Sequence, residues 1–157
     1  MDIEFADLAG HVGRTFGPSR WVLVDQPLID AFADVTGDHN WYHVDTARAA
    51  AQMPRGLTIA HGFLTLSLVP GLSGELIRIN YPHRALNYGT DRVRFPAPVH
   101  VGDRVRLRTT LKALTAHARG TLVHMEHVME TDRGDKPALV CERLSLALAA
   151  PETPGSR

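Results

Sequence analysis

What is scarce in this 157-residue sequence narrows its function before any motif is read. There is a single cysteine, Cys141, so no internal disulfide can form. It follows Ala138, Leu139 and Val140 in an apolar, strand-like run, where a small buried thiol suits the packing. Net charge is absent as well: 17 basic residues balance 17 acidic ones, which leaves no global field to draw in nucleic acid or an anionic membrane. No hydrophobic run is long enough to span a bilayer. The longest uncharged stretch, residues 56–74, is broken by His61, Gly62 and Pro70 and falls short of the roughly 20 mostly apolar residues required. The first residues, Met1-Asp2-Ile3-Glu4-Phe5, carry acids where a secretory signal has bases followed by an apolar segment, so a cytoplasmic setting is expected. Paired cysteines and a helical HExxH spacing are missing too. His39, His43 and Asp45 could act as metal ligands, but nothing in their spacing asks for a metal, and none is expected.

What is present reads as one domain over residues 1–150 with a flexible tail at 151–157. A β-rich run at residues 21–24 precedes Asp25, a helix N-cap, and Pro27 in the first turn. Leu28, Ile29, Phe32 and Val35 recur at helical steps, and Gly37 offers a C-terminus free to take positive φ. Asp45 and Thr46 cap a second helix over residues 47–53, ended by Pro54 and Gly56. Between the two lies a polar loop at residues 38–44. Residues 58–76 are apolar on all sides and predict a helix buried all round. Beyond it, Val105, Leu107, Thr109 and Leu111 alternate with Arg104, Arg106, Arg108 and Lys112 at the period of half-buried strands. Strands continue at residues 122–131 and 138–148, joined by Gly-containing turns. Helices followed by antiparallel strands predict an α+β architecture, a sheet wrapped around the apolar helix.

Two places carry chemistry. Asp38 and His43 stand five apart on the loop, a carboxylate and an imidazole able to hold a water between them and to pass protons near neutral pH. The same spacing arises from turn hydrogen bonding, so by itself it leaves both readings open. The second is Ile59-Ala60-His61-Gly62-Phe63 at the head of the apolar helix. Free N–H groups there could meet a carbonyl oxygen, with Gly62 allowing close approach, or Gly62 could simply relieve crowding. Arg92, Arg94, Arg104, Arg106 and Arg108 offer charge for the phosphates of a carrier arm, although alternating arginines on a strand usually form a solvated face. His117, His124 and His127 read as surface or strand-face residues.

Phe32-Ala33-x-x-Thr36-Gly37-Asp38-x-Asn40-x-x-His43-x-Asp45, followed by Ala60-His61-Gly62, resembles the hydratase motif of MaoC-like, R-specific enoyl-CoA hydratases, which are hotdog-fold proteins. The segment from Asn87-Tyr88-Gly89 through Val93-Arg94-Phe95, Pro98-Val99 and Gly102-Asp103 resembles the same family's strand region. The resemblance implies a hotdog fold, an antiparallel sheet around a long buried central helix. It also implies a hydratase/dehydratase that interconverts a 2-enoyl thioester with a (3R)-3-hydroxyacyl thioester of CoA or acyl carrier protein. Asp38 and His43 would then be catalytic, Gly62 the oxyanion donor, and Asn40 and His61 supporting residues, in a homodimer without metal or redox cofactor. A hotdog thioesterase and a non-catalytic acyl-thioester binding subunit are the alternatives. Trp41 stands where many members have proline, and Pro70 where some have a small polar residue.

Overall fold

The structure, a computed structural model, describes residues 1–149. The tail expected at 151–157 lies outside the described residues. The chain opens with β1 (Asp2–Glu4), a 3-10 helix (Phe5–His11), β2 (Thr15–Phe16) and β3 (Val22–Leu23). Three helices follow, α1 (Gln26–Thr36), α2 (Trp41–Val44) and α3 (Thr46–Gln52), and then the long α4 (Gly62–Leu76). The remainder is strand: β4 (Arg78–Asn80), β5 (Ala85–Arg94), β6 (Arg104–His117), β7 (Gly120–Thr131) and β8 (Leu139–Leu148). β2, β6, β7, β8 and β5 line up in that order, with β3 also pairing β6, to make an antiparallel six-stranded sheet. β1 pairs β4 in parallel as a separate ribbon.

The sheet packs against α4. Leu64, Val69 and Leu72 of the helix meet Val105, Leu107, Met129, Leu139 and Cys141 of the strands in one buried cluster. Truncating any of the leucines to alanine should cost about 2–5 kcal/mol, the usual loss for a buried leucine. A long helix clasped by an antiparallel sheet is the hotdog arrangement expected from the resemblance. No helix among the described residues is long and apolar enough to cross a membrane.

Helix ends follow the sequence closely. Asp25 Oδ1 accepts from Leu28 N at 3.0 Å to cap α1, Gly37 closes it at φ 76°, and Asp45 caps α3 through Arg48 N at 2.9 Å. Three local expectations need correction. β3 falls in the run expected at 21–24, whereas the 3-10 helix and the strands β1 and β2 escape the sequence reading, the strands because runs of two or three residues carry no detectable period. Residues 41–44 are a turn of helix rather than loop: His43 N bonds Asn40 O at 2.9 Å and Asp45 N bonds Trp41 O at 2.9 Å.

The third correction concerns the apolar helix, which starts at Gly62 and not at Thr58. Residues 58–61 are extended because they pair with the segment before β6: Ala60 N donates to Val99 O at 2.8 Å, and Val101 N to Thr58 O at 3.0 Å. Nor is α4 buried all round. Phe63, Ser67, Pro70, Gly71 and Glu75 form an exposed stripe, with Phe63 68% exposed. The arginines of β6 bear out the solvated-face reading. Arg104 pairs with Asp132, and Arg106 and Arg108 share Glu130 across the β6–β7 ladder.

Candidate active site

The extended entry to α4 and the α2 turn face each other. The carbonyl of Ile59, in that entry, lies 2.6 Å from His43 Nδ1. A carbonyl can only accept, so Nδ1 carries the proton and the neutral ring keeps its lone pair on Nε2. Gln26 holds the turn from the other side. Its Nε2 donates to His43 O at 2.8 Å and to Asp30 at 2.7 Å, while its Oε1 accepts from Thr58 Oγ1 at 2.6 Å. Both anchors reach His43 from distant parts of the chain, and its side chain is buried as a result.

Asp38 sits just past the αL residue Gly37, where the chain leaves α1. Its carboxylate stays exposed and accepts from the side chain of Asn40 at 2.6 Å and from the Asn40 backbone N–H at 3.4 Å. Its own carbonyl accepts from His61 Nε2 at 2.8 Å. His61 is buried, stacked on His43 with ring centroids 3.7 Å apart, and its Nδ1 has no protein partner. One ligand atom each from Asp38, His43 and His61 lie within 4.8 Å of one another. The structure therefore brings together Asp38, Asn40, His43, His61 and Gly62, residues drawn from two separate sequence motifs.

Charge at the site suits proton transfer. Partial shielding from water pushes the Asp38 carboxyl up, but the N–H groups of Asn40 and the facing rings of His61 and His43 outweigh it and hold it below its ordinary range. Burial lowers the His43 imidazole. The bond to Ile59 and the charge of Asp38 offset this only in part, so the ring stays neutral to a lower pH than an ordinary histidine. Carboxylate and free imidazole can thus coexist at neutral pH, both as proton acceptors facing one point.

His43 lines a cavity of about 360 Å³ together with Tyr42, Gly62, Thr65, Phe95 and Pro98. Gly62 is the first residue of α4, so its N–H has no partner inside the helix and is free to donate. A Cβ at this position would stand 3.0 Å from the Phe95 ring. The absence of a side chain thus lets the Phe95 ring pack against the head of α4.

The metal-ligand candidates of the sequence do not converge. His39 bonds Asp34 at 2.9 Å, and Asp45 is spent on capping α3. If a metal bound here, its ligands would be Asp38, His43 and His61. Sequence reasoning missed Gln26, Thr58 and Tyr42, which carried no motif. Phe32 was visible in the motif, but its place beside His61, with centroids 5.1 Å apart, was not.

Comparison with known proteins bears on this geometry. A family described as "MaoC like domain" matches residues 7–132. The 3-hydroxyacyl-thioester dehydratase Z of Mycobacterium tuberculosis is 45% identical over 140 residues, covering 88% of this chain and 92% of that protein. Nodulation protein N of Rhizobium meliloti is 40% identical over 154 residues, covering 96% and 95%. Among solved structures, the (R)-hydratase from A. caviae superposes with a TM-score of 0.68 at 26% identity, covering 86% of this chain and 95% of that one. The R-hydratase PhaJ1 from Pseudomonas aeruginosa, at 22% identity and a TM-score of 0.70, shares the fold over 93% and 91%.

Proposed function

The chain belongs to the MaoC-like dehydratase family, and from that premise we propose that it interconverts a 2-enoyl thioester and a (3R)-3-hydroxyacyl thioester through water held by Asp38 and His43. The observation that carries the reading is the convergence of the Asp38 carboxylate and the His43 ring, whose Nδ1 is committed to Ile59 so that Nε2 keeps the lone pair a base needs. The thioester carbonyl lies on the Gly62 N–H, where negative charge develops as water adds. In hydration the dyad takes a proton from the water as its oxygen bonds to C3, and a proton is delivered to C2. Dehydration returns the C2 proton to the site and protonates the departing hydroxyl.

Asn40 braces Asp38 in this scheme, and no metal or redox cofactor is needed, so activity should survive dialysis against a chelator. The acyl group is carried by CoA or acyl carrier protein. A cytoplasmic location belongs to the same reading, in keeping with the free, buried thiol of Cys141. So does a homodimer. β5 is an edge strand bearing exposed Leu86 and Tyr88, with Phe95 exposed just beyond its end, and the exposed Phe63 stripe of α4 adds apolar surface for a second copy to cover.

The test is loss of the conjugated-thioester ultraviolet absorbance when the protein meets 2-enoyl-CoAs, with Asp38→Asn and His43→Gln alongside. Absorbance should fall without thiol release, and each variant should be slower by on the order of a hundredfold or more, as removal of an acid–base group predicts. Thiol release from a saturated acyl-CoA would favour a thioesterase instead. Binding of acyl-CoA with no reaction would favour a binding subunit.

A further inference from the structure

A second cavity of about 460 Å³ lies between α4 and β5, on the face the proposed homodimer would border, and Arg143, Cys141, Asn87, Tyr88 and Pro70 are among the residues that line it. The two adjoin. Thr65 lines the first and Val69 the second, one helical turn further on. Ala138 borders the first and Arg143 the second, five residues along β8 or roughly 16 Å at the rise of a strand.

Arg143 differs from the arginines of β6. Those pair with Asp132 and Glu130, whereas Arg143 is half-buried, its Nε is shielded from solvent with no protein acceptor, and no carboxylate among the described residues pairs with it. Its titratable neighbours do not supply a negative charge. Burial raises the Tyr81 hydroxyl and takes the Cys141 thiol up to about 11, so both stay neutral at neutral pH. Burial together with the nearby Arg143 charge holds His127 down to about 3, so it adds no second cation. One uncompensated guanidinium is left facing a cavity. An unpaired charge partly withdrawn from water is costly, and a planar guanidinium is matched best by a carboxylate or phosphate.

We propose that this second cavity is an oxyanion site, in which Arg143 holds a carboxylate or phosphate carried by the thioester substrate. The inference rests on the hydratase reading only in taking the ligand to be an acyl thioester. Its test therefore measures binding of saturated thioesters, which do not react. Calorimetric dissociation constants would be compared for octanoyl- to dodecanoyl-CoA, for their ω-carboxy counterparts of equal length, and for the same acyl groups on pantetheine, with wild type, Arg143→Met and Arg143→Lys.

A carboxylate source predicts that the ω-carboxy thioesters bind wild type on the order of tenfold more tightly than the methyl-ended ones. Arg143→Met should remove that preference and Arg143→Lys retain part of it. A phosphate source predicts instead that Arg143→Met weakens the CoA esters by a similar factor and leaves the pantetheine esters unchanged. Affinity that follows neither group, or a carboxylate preference that persists in Arg143→Met, overturns the site; a carboxylate of a second copy pairing with Arg143 would produce the first of these. Should Arg143→Met fail to fold, wild type decides: equal affinity for both chain ends, with no loss on removing the nucleotide, is the refuting result. Hydration of enoyl-CoA with no effect of Arg143 on binding would sink this inference alone. Binding through Arg143 with no hydration would sink the hydratase reading alone.

Discussion

Thr58→Val tests whether the turn that carries His43 is held from a distance. Valine matches threonine in shape, so the change removes one hydroxyl and opens no cavity. Thr58 is 1% exposed, and its Oγ1 donates to Gln26 Oε1 at 2.6 Å. Loss of that donor leaves a part-buried amide oxygen unpaired, a penalty of about 1–3 kcal/mol. For a domain of this size, each kcal/mol moves the melting midpoint by roughly 2–4 °C, so a drop of about 2–12 °C is expected. Gln26 also donates to His43 O, so a loosened amide should displace the base and lower kcat/KM on the order of tenfold while Asp38 and His43 remain chemically intact. The assay is a thermal melt beside the enoyl-CoA absorbance assay, on Thr58→Val, Gln26→Leu and the double variant. If the hydroxyl acts through Gln26, adding Thr58→Val to Gln26→Leu costs almost nothing more. Fully additive losses, or a Thr58→Val protein that melts and turns over like wild type, would refute the reasoning.

Three further outcomes follow from the geometry. Because His43 is lowered from its ordinary value, the acid limb of kcat/KM attributable to this base should fall below about pH 6.5, and a limb above it would count against the buried neutral ring. His127 is held down to about 3, so its contribution to stability is fully present above the unfolded value and is lost as pH falls from there toward 3. Urea titrations should show wild type losing about 1.5 kcal/mol more than His127→Gln between pH 6.5 and 5, and equal losses would contradict the assignment. Gly62→Ala brings a Cβ to 3.0 Å from Phe95, which lines the same cavity as His43. Stability should change by no more than about 1 kcal/mol, since alanine favours a helix, while kcat/KM falls at least roughly tenfold as the carbonyl is pushed off its donor; recovery in Gly62→Ala/Phe95→Leu would trace the defect to that contact, and a fully active Gly62→Ala would count against an oxyanion role.

Much of this protein was legible in the order of its residues. Helix ends are local chemistry: Asp25, Pro27, Gly37 and Asp45 act on bonds within four residues of themselves, so capping preferences were enough to place α1 and α3. The β6 alternation was equally plain, because one strand face meets the core and the other meets water, and its arginines found carboxylates on the neighbouring strand. Asp38, His43 and Gly62 were named from two motifs.

What no local pattern could supply was their meeting. The strand pairing of Ala60 with Val99 delays α4 to Gly62 and so points the Ile59 carbonyl at His43, which fixes the side of the ring that bears the lone pair. Gln26 and Thr58, 32 positions apart, hold the turn through bonds invisible to any helical or strand period. Arg143, without a carboxylate partner among the described residues, was hidden for the same reason. In sequence it is one more strand residue, and its lack of a partner depends on Tyr81, Cys141 and His127 being folded around it with their charges suppressed by burial. Sequence by itself determined the longer elements and the candidate side chains, because these depend on neighbours along the chain; tertiary structure decided where α4 begins, tautomer, burial and charge balance, because these depend on neighbours in space.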